Sequence, residues 1–559
     1  MHIGNRCLSE WYALIVSRLN FRAVLVRLAE ENRGLIVLLF CLPVSFVFDA
    51  GLQCKRWIRR KLTGTFRQTH NDRVQKIQAN IAEWHKSAPN VRRPLCTSKP
   101  NWLSLSTTFF RKSECHQIPV DLTEILSIDV QRMCVRVEPG VSVGEITKFL
   151  IPHGYTLAIT LEIADATCGG LAMAVGMTTY SHKVGLYQES VISYDVVLAD
   201  GSLITATKYN EYSDLFACLP WSHGTLGFLV ALELQIIHVK PYVHLSYIPV
   251  HGKAEYCSRI RELSGAIDKD MAVPDYLEAT IFSKDQAVTI GRLASDGPGS
   301  LIETFKVNRA TLWYKPWFYK HVESVLGNGP VDEIIPLRDY LLRHNRAIFW
   351  VLEAMLPFGN HPLFRALLGW LCPPKPAFLK FTTTPGIRAM TFTKQVFQDL
   401  VLPMTVLEES IDLAEQYFDT YPLLIYPCRI YDRSSQPAGH KGQIRVPRPD
   451  QMTPGTDYGM FYDLGIYGVP GLVKRRQPYD AVHAMRRMEE FLRQVGGYSF
   501  LYADIFMTRE EFEEMFDLRF YEQCRNKYGA AGAFPHLYDK VKPEIDVFAI
   551  GKQAFHEAL

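Results

Sequence analysis

Twelve cysteines are scattered along 559 residues without one C-x-x-C pair. Neither a disulfide framework nor a structural zinc site is therefore written into the chain, and no metal site is expected. No N-x-Ser/Thr sequon occurs either. Both absences fit a catalytic body in a reducing, cytosol-facing compartment. Charge of one sign is also lacking: 61 Lys and Arg face 58 Asp and Glu, a formal net charge of +3. With no zinc spacing and no recognition helix, a nucleic-acid partner is not expected. What is present is 48% hydrophobic and 21% charged residues, an ordinary core-forming composition. At ~150 residues per domain the length allows several domains. No internal repeat is visible.

Residues 1–33 read as an interfacial helix. Trp11, Leu14, Ile15, Leu19, Val24, Leu25 and Leu28 are its apolar side, and Arg18, Arg22 and Arg27 are polar. An amphipathic helix packed on the body is the alternative. Gly34 to Phe48 is uncharged, yet shorter than the ~20 residues of a spanning helix. Extension to Cys54 brings in Asp49, and Pro43 predicts a kink. Phe48-Asp49-Ala50 is no signal-peptidase site. The segment 1–54 thus reads as a retained membrane anchor, spanning or re-entrant. Lys55, Arg56, Arg59, Arg60, Lys61 and Arg67 follow it, and Arg18, Arg22, Arg27 and Arg33, offset by Glu30 and Glu31, precede it. That bias places the body in the cytosol, and the basic cluster suits anionic head groups. Within the basic linker and helix, 55–95, the stripe Val74, Ile77, Ile81, Trp84 predicts a helix over 69–87.

Short apolar runs alternate with turns from 96 to 240. Val135 to Val137, Asp195 to Leu198 and Gly227 to Ile237 are β-rich, and Glu145 to His153 predicts a helix ended by Gly154. This is an α+β pattern, not a doubly wound one. Residues 241–559 continue as α+β, with strands at Val243 to Val250, Leu277 to Phe282, Leu423 to Ile430, Met460 to Gly465 and Tyr498 to Ile505, and a helix over Val401 to Tyr417. Ser434 to Pro454 reads as a loop. Ile348 to Leu356 and Leu363 to Leu371 read as buried cap helices, with a second bilayer contact as the alternative.

The chain is organised around Thr167-Cys168-Gly169-Gly170-Leu171-Ala172-Met173-Ala174-Val175-Gly176, continuing through Met177-Thr178-Thr179-Tyr180-Ser181-His182-Lys183-Val184-Gly185. The stretch fits neither G-x-G-x-x-G nor G-x-x-x-x-G-K-[ST]. Glycines let a backbone approach a ligand, and successive N–H groups make a concavity for a pyrophosphate. A tightly packed core loop is the plainer alternative.

The neighbours decide between them. Val135 to Ile146 lies upstream, Tyr194 to Ser202 and Trp221 to Val230 downstream. In that order they resemble the FAD-binding domain of the PCMH-type (vanillyl-alcohol oxidase) flavoproteins. Gly169-Gly170 through Ser181-His182-Lys183, Val197 to Ser202, Ser213 to Phe216 and Gly224 to Phe228 resemble the delta-24 sterol reductase family more narrowly. So do Tyr314 to Glu323, Leu501 to Asp504 and Arg509 to Phe512. These are the 24-dehydrocholesterol reductases of animals and the Diminuto proteins of plants.

The resemblance implies a PCMH-type FAD-binding domain over 96–240 and an α+β substrate and cap domain with a C-terminal return segment over 241–559. It implies that NADPH reduces the FAD and that the flavin reduces the C24–C25 bond of a sterol side chain, at the endoplasmic reticulum membrane. A sterol, membrane lipids and other sterol-biosynthesis enzymes are the implied partners. Carried over by position, residues 167 to 179, Ser181, Gly224 and Gly227 bind FAD. The first phosphate loop, near Pro100 to Ser104, lacks the His-Ser of the wider family, so non-covalent FAD is expected. His182 is the alternative attachment point, against a plainer structural role.

The reaction also needs a general acid. Tyr502 and Asp504, two apart and so on one face of the expected strand, are the candidates. A buried structural pair is the alternative, and Lys183 and Lys441 are rivals. Two further functions stay open: a flavin oxidase of a small alcohol or sugar acid, and a non-catalytic membrane scaffold that kept the fold. The anchor and apolar cap speak against a polar substrate.

Overall fold

In the computed structural model, described for residues 32–62, 66–296, 307–436 and 442–558, two antiparallel sheets stand in sequence and helices close around them. The interfacial helix expected over 1–33 lies outside the described residues but for its last two positions, and so do His440 and Lys441.

The first sheet has six strands, ordered Ile125–Asp129, Cys134–Val137, Phe228–His238, Val191–Val197 and Leu203–Thr207, with Tyr155–Leu157 also paired to Phe228–His238. Its central strand, FLVALELQIIH, is buried along most of its length, as a continuous apolar run requires. The helix Val143–Leu150 begins at a capping box formed by Ser142 and Glu145. A tighter turn, Ile151–His153, follows where Pro152 interrupts the helix, and Gly154 closes it at φ 84°. The helix Phe66–Lys86 buries Val74, Ile77, Ile81 and Trp84, the expected stripe.

The second sheet has eight strands, ordered Val331–Pro336, Tyr242–His251, Gln286–Ser295, Tyr276–Ser283, Leu423–Tyr431, Tyr458–Gly468, Val396–Pro403 and Tyr498–Ser499. The alternation of side chains puts an unusual set on one face. Tyr426 pairs with Asp463, Val401 with Asp463, Asp399 with Gly465, and Phe397 with Tyr467. Glu278 sits one step beyond the paired Ala279–Ile425, on the same row as Tyr426.

The expected strand Tyr498 to Ile505 is cut short. Only Tyr498–Ser499 pairs with a neighbour. Phe500 stacks on Trp221 at 5.5 Å and on Tyr502 at 5.2 Å, and Ala503 N–H donates back to the Phe500 carbonyl. This aromatic stack turns the chain, so Tyr502 and Asp504 do not share a strand face.

The C-terminal helices return to the first sheet. Tyr521 Oη lies 2.7 Å from Thr225 Oγ1, and Leu95 N–H donates to the Ala533 carbonyl. At the other end of the chain, Arg33–Ile36, Val37–Cys41 and Leu42–Leu62 follow one another as a single helical run. Leu42 N–H reaches back to the Val37 carbonyl, a wide turn directly before Pro43. The stretch Gly34–Lys55 is long and apolar enough to cross a membrane. The two expected cap helices are short, Val351–Met355 and Pro362–Leu368. Leu352 and Leu356 are buried as expected, whereas Leu363 and Leu367 are exposed.

Candidate active site

The glycine-rich stretch begins as a short helix, Cys168–Ala174, capped by Thr167, whose hydroxyl accepts from Gly170 N–H at 3.3 Å. Its two sides differ. Cys168, Leu171, Ala172 and Met173 are core, while Thr167, Gly170 and Ala174 face outward on one stripe. These three are the positions that could hold a cofactor. Burial pushes the Cys168 thiol up to about 12, so it is inert.

The glycines divide the same way. A Cβ on Gly169 would meet Pro139 Cβ at 2.4 Å, so this glycine is demanded by packing. A Cβ on Gly170 would meet only Thr167 Oγ1, at 2.9 Å. Gly170 and Gly176 do not have positive φ; Val175, at φ 62°, does. A positive φ on a β-branched residue is strained. Trp221 at 66°, His223 at 49° and Gly224 at 73° form a second strained turn, joined to the first where His223 N–H donates to the Met173 carbonyl. Gly227 is fixed by the sheet: a Cβ there would lie 2.5 Å from Val196 Cγ1. Ser181 is fully buried, and its hydroxyl accepts from Thr178 N–H at 2.9 Å. Packing and this internal bond account for Gly169, Gly227 and Ser181 without a cofactor.

A group of lysines drawn from distant parts of the chain gathers near this region, with Lys99 within electrostatic reach of Asp165 and Lys540 of His223. Lys112 Nζ donates to the Thr97 carbonyl at 2.8 Å, and Lys380 Nζ to the Ser106 and Thr108 carbonyls at 2.5 and 2.8 Å. Lys540 Nζ sits 4.5 Å over the Phe110 ring. Among the described residues no carboxylate lies within ion-pair distance of Lys99, Lys112, Lys380 or Lys540. Burial lowers Lys112 and Lys380 to about 8 each, and lowers Lys99 and Lys540 as well. Lys540 also faces His223, which burial and this charge hold down to about 3. His223 Nε2 and Thr107 Oγ1 are buried without partners. Cations lacking counter-charges, beside an open helix face and unpaired polar atoms, fit the pyrophosphate of a dinucleotide.

A buried polar network starts at the far end of the glycine-rich stretch. Tyr340 Oη donates to Thr179 Oγ1 at 3.0 Å. Arg343 lies 4.3 Å over the Tyr340 ring, pairs with Glu278, donates to Tyr426 Oη at 3.1 Å, and reaches Glu162 at 3.6 Å. Burial would raise Glu278, but Arg343 outweighs it and keeps this carboxylate ionised. Glu162 is left with too little compensation and rises to about 7. Burial raises Asp399 to about 6 against the pull of the Tyr467 and Tyr502 hydroxyls. Burial and Asp399 together raise Asp463 well above the carboxylate range. Neighbouring buried carboxyls cannot all ionise, so the cluster retains protons at neutral pH.

Tyr502 lies beside this network, within electrostatic reach of Asp399 and Asp463, and its backbone carbonyl accepts from Thr107 N–H at 2.8 Å. Burial and the Asp399 charge raise its hydroxyl well above 10. Asp504 corrects the sequence-based expectation. It is clamped by Arg388 Nη1 and Nη2 at 2.7 and 2.8 Å, and Arg388 also holds Glu544. A carboxylate with both oxygens taken up by a buried guanidinium reads as a structural ion pair. Lys183 pairs with Asp275 at 2.8 Å. His182 is buried against the Pro274 carbonyl at 2.8 Å and held neutral, down to about 4, by burial. That is a tether rather than an attachment point. The acids that sequence reasoning missed, Glu278, Asp399 and Asp463, each interrupt an apolar strand: YLEATIF, VFQDLVL, FYDLGIY. A charge inside such a run was the available signal.

Residues 104–207 match the family described as FAD binding domain. The Delta(24)-sterol reductases of rat and human are each 38% identical over 513 residues, 91% of this chain and 93% of theirs. The chain belongs to the delta(24)-sterol reductase family. The Arabidopsis thaliana Delta(24)-sterol reductase is 34% identical over 522 residues, 91% of each chain. Mouse L-gulonolactone oxidase is 22% identical over only 237 residues, 41% of this chain and 48% of that protein. Likeness to the sterol reductases thus spans both sheets, whereas likeness to the oxidase covers less than half the chain. In this chain the network from Thr179 to Tyr502 lies where the segment matching the FAD-binding family meets the second sheet.

Proposed function

We propose that this chain reduces the C24–C25 double bond of sterol side chains, that Tyr502 delivers the proton, and that the Asp399–Asp463 pair holds it in reserve. Bound FAD, re-reduced by NADPH, supplies a hydride for C25. Thr167, Gly170 and Ala174 offer the open face for its pyrophosphate, and Lys99, Lys112, Lys380 and Lys540 neutralise it without a covalent bond. An isolated alkene is a poor hydride acceptor, so C24 needs a proton from an acid shielded from water. Tyr502 gives its hydroxyl proton to C24 and regains one from the Asp399–Asp463 pair, which Asp463 keeps protonated at neutral pH. What supports the assignment is the place of Tyr502 beside Asp399 and Asp463, at the end of a row of proton-retaining carboxyls, with its ring held by the stack on Phe500 at 5.2 Å.

The protein is membrane-associated, and the basic run after Gly34–Lys55, suited to an anionic cytosolic leaflet, supports an anchor at the endoplasmic reticulum with the body in the cytosol. Other enzymes of sterol biosynthesis would share that membrane. Tyr502→Phe keeps the ring stack on Phe500 and removes only the hydroxyl. It should slow sterol reduction by ~10²-fold or more while NADPH still bleaches the flavin. Wild-type turnover in this variant would remove Tyr502 from the mechanism.

A further inference from the structure

A helix that crosses a bilayer alone presents every face to lipid or to other spanning segments. Gly34–Lys55 does neither. Val37, Cys41, Leu42 and Ser45 form a buried stripe, with Val37 at 0% and Ser45 at 2% exposure. Contacts with the body run along the whole apolar length. A Cβ on Gly34 would lie 2.5 Å from the Met355 carbonyl oxygen, so the helix starts in close approach to the cap. Lys375 N–H donates to Ser45 Oγ at 2.5 Å. Phe48 meets Phe378 edge-on at 5.2 Å, and Asp49 pairs at 2.9 Å with Lys375, which also pairs with Asp165 two residues before Thr167. From Gly34 to Asp49 is ~22 Å of helix at ~1.5 Å per residue. Asp49 and Lys375 mark the end nearest the basic run, so carrying that length perpendicular through a bilayer would drag the cap backbone at Met355, which Gly34 approaches, into the hydrocarbon.

The opposite side of the helix is bare and apolar, with Leu39, Phe40 and Val47 exposed by 62%, 64% and 69%. The body continues that surface. Phe46 meets Trp370 edge-on at 5.2 Å, and beside Trp370 the helix Pro362–Leu368 shows Leu363 at 66% and Leu367 at 69%. We propose that Gly34–Lys55 lies along one leaflet and forms, with Pro362–Leu368 and Trp370, a single lipid-facing surface. Its occupant is a bilayer, because the surface is continuous with a helix of membrane length and composition, and because Lys55, Arg56, Arg59, Arg60 and Lys61 follow at the head-group end. The proposal rests on membrane association alone, so it stands or falls independently of the reaction.

The test uses the full chain in vesicles of phosphatidylcholine and phosphatidylserine whose acyl chains carry bromine at a shallow or a deep position. Dansylalanine replaces Leu35, Leu39, Val47 or Leu367, one at a time, and flavin content confirms each fold. All four sites should be quenched with the same preference for shallow bromine. Quenching that moves from shallow to deep between Leu35 and Val47, which a crossing helix separates by ~18 Å, would overturn the in-plane arrangement. Absence of quenching at Leu367 would remove the body from the surface. Leu363→Glu with Leu367→Glu should weaken vesicle binding on the order of a hundredfold, since each buried leucine contributes ~1.5 kcal/mol or more; unchanged binding would contradict the proposal.

Discussion

Replacing Asp399 by Asn separates the stability of the buried acid from its chemistry. Asp399 is 7% exposed, and burial raises it from 3.8 to about 6. That rise corresponds to ~3 kcal/mol of tighter proton binding, at ~1.4 kcal/mol per tenfold change. Because the folded value is the higher one, the native state holds the proton more tightly than the unfolded chain. Its contribution is fully present below pH ~3.8 and is lost as pH rises through about 6. Asn cannot ionise, keeps an oxygen for the Tyr467 hydroxyl, and removes the loss. Chemical denaturation at pH 4 should therefore find the variant and the wild type close, and at pH 8 should find Asp399→Asn more stable by up to ~3 kcal/mol. The same variant cannot pass a proton to Tyr502, so sterol reduction should fall ~10²-fold while NADPH still bleaches the flavin. A stability difference independent of pH would refute the assignment of the buried proton. Wild-type turnover in a folded Asp399→Asn would refute its use.

Asp504→Asn should lower thermal stability by several kcal/mol, because it leaves Arg388 partly unpaired in a buried site. The turnover of the folded fraction should stay near wild type; a loss of chemistry with intact stability would restore Asp504 as an acid. Lys540→Ala or Lys112→Gln should weaken FAD binding ~10- to 100-fold, the usual scale for a charge-assisted hydrogen bond, read by flavin fluorescence on dilution. Acid precipitation should release all flavin from the chain, and colour left in the pellet would contradict the non-covalent reading.

Elements whose pattern is local were legible in the sequence. The stripe Val74, Ile77, Ile81, Trp84 gave the helix Phe66–Lys86, and Gly154 closed its helix where expected. The glycine-rich stretch was found, but not its sidedness, because which glycine packs on Pro139 depends on a loop about thirty residues upstream. The lysines at 99, 112, 380 and 540 converge only in three dimensions. The carboxyl row draws on three strands, and Tyr502 reaches it because the Trp221–Phe500–Tyr502 stack bends a segment whose composition reads as strand. The same bend takes Asp504 off the face of Tyr502, and Arg388 then claims its carboxylate. Two-residue spacing predicts a shared face only while the strand continues.

The measurement that tests the central claim most directly is incubation of the purified protein with desmosterol and NADPH, followed by sterol analysis. The account predicts a product saturated at C24–C25, formed in step with NADPH consumption and lost in Tyr502→Phe. Unchanged desmosterol beside a flavin that NADPH reduces, or oxygen consumption on small polyols instead, would contradict it.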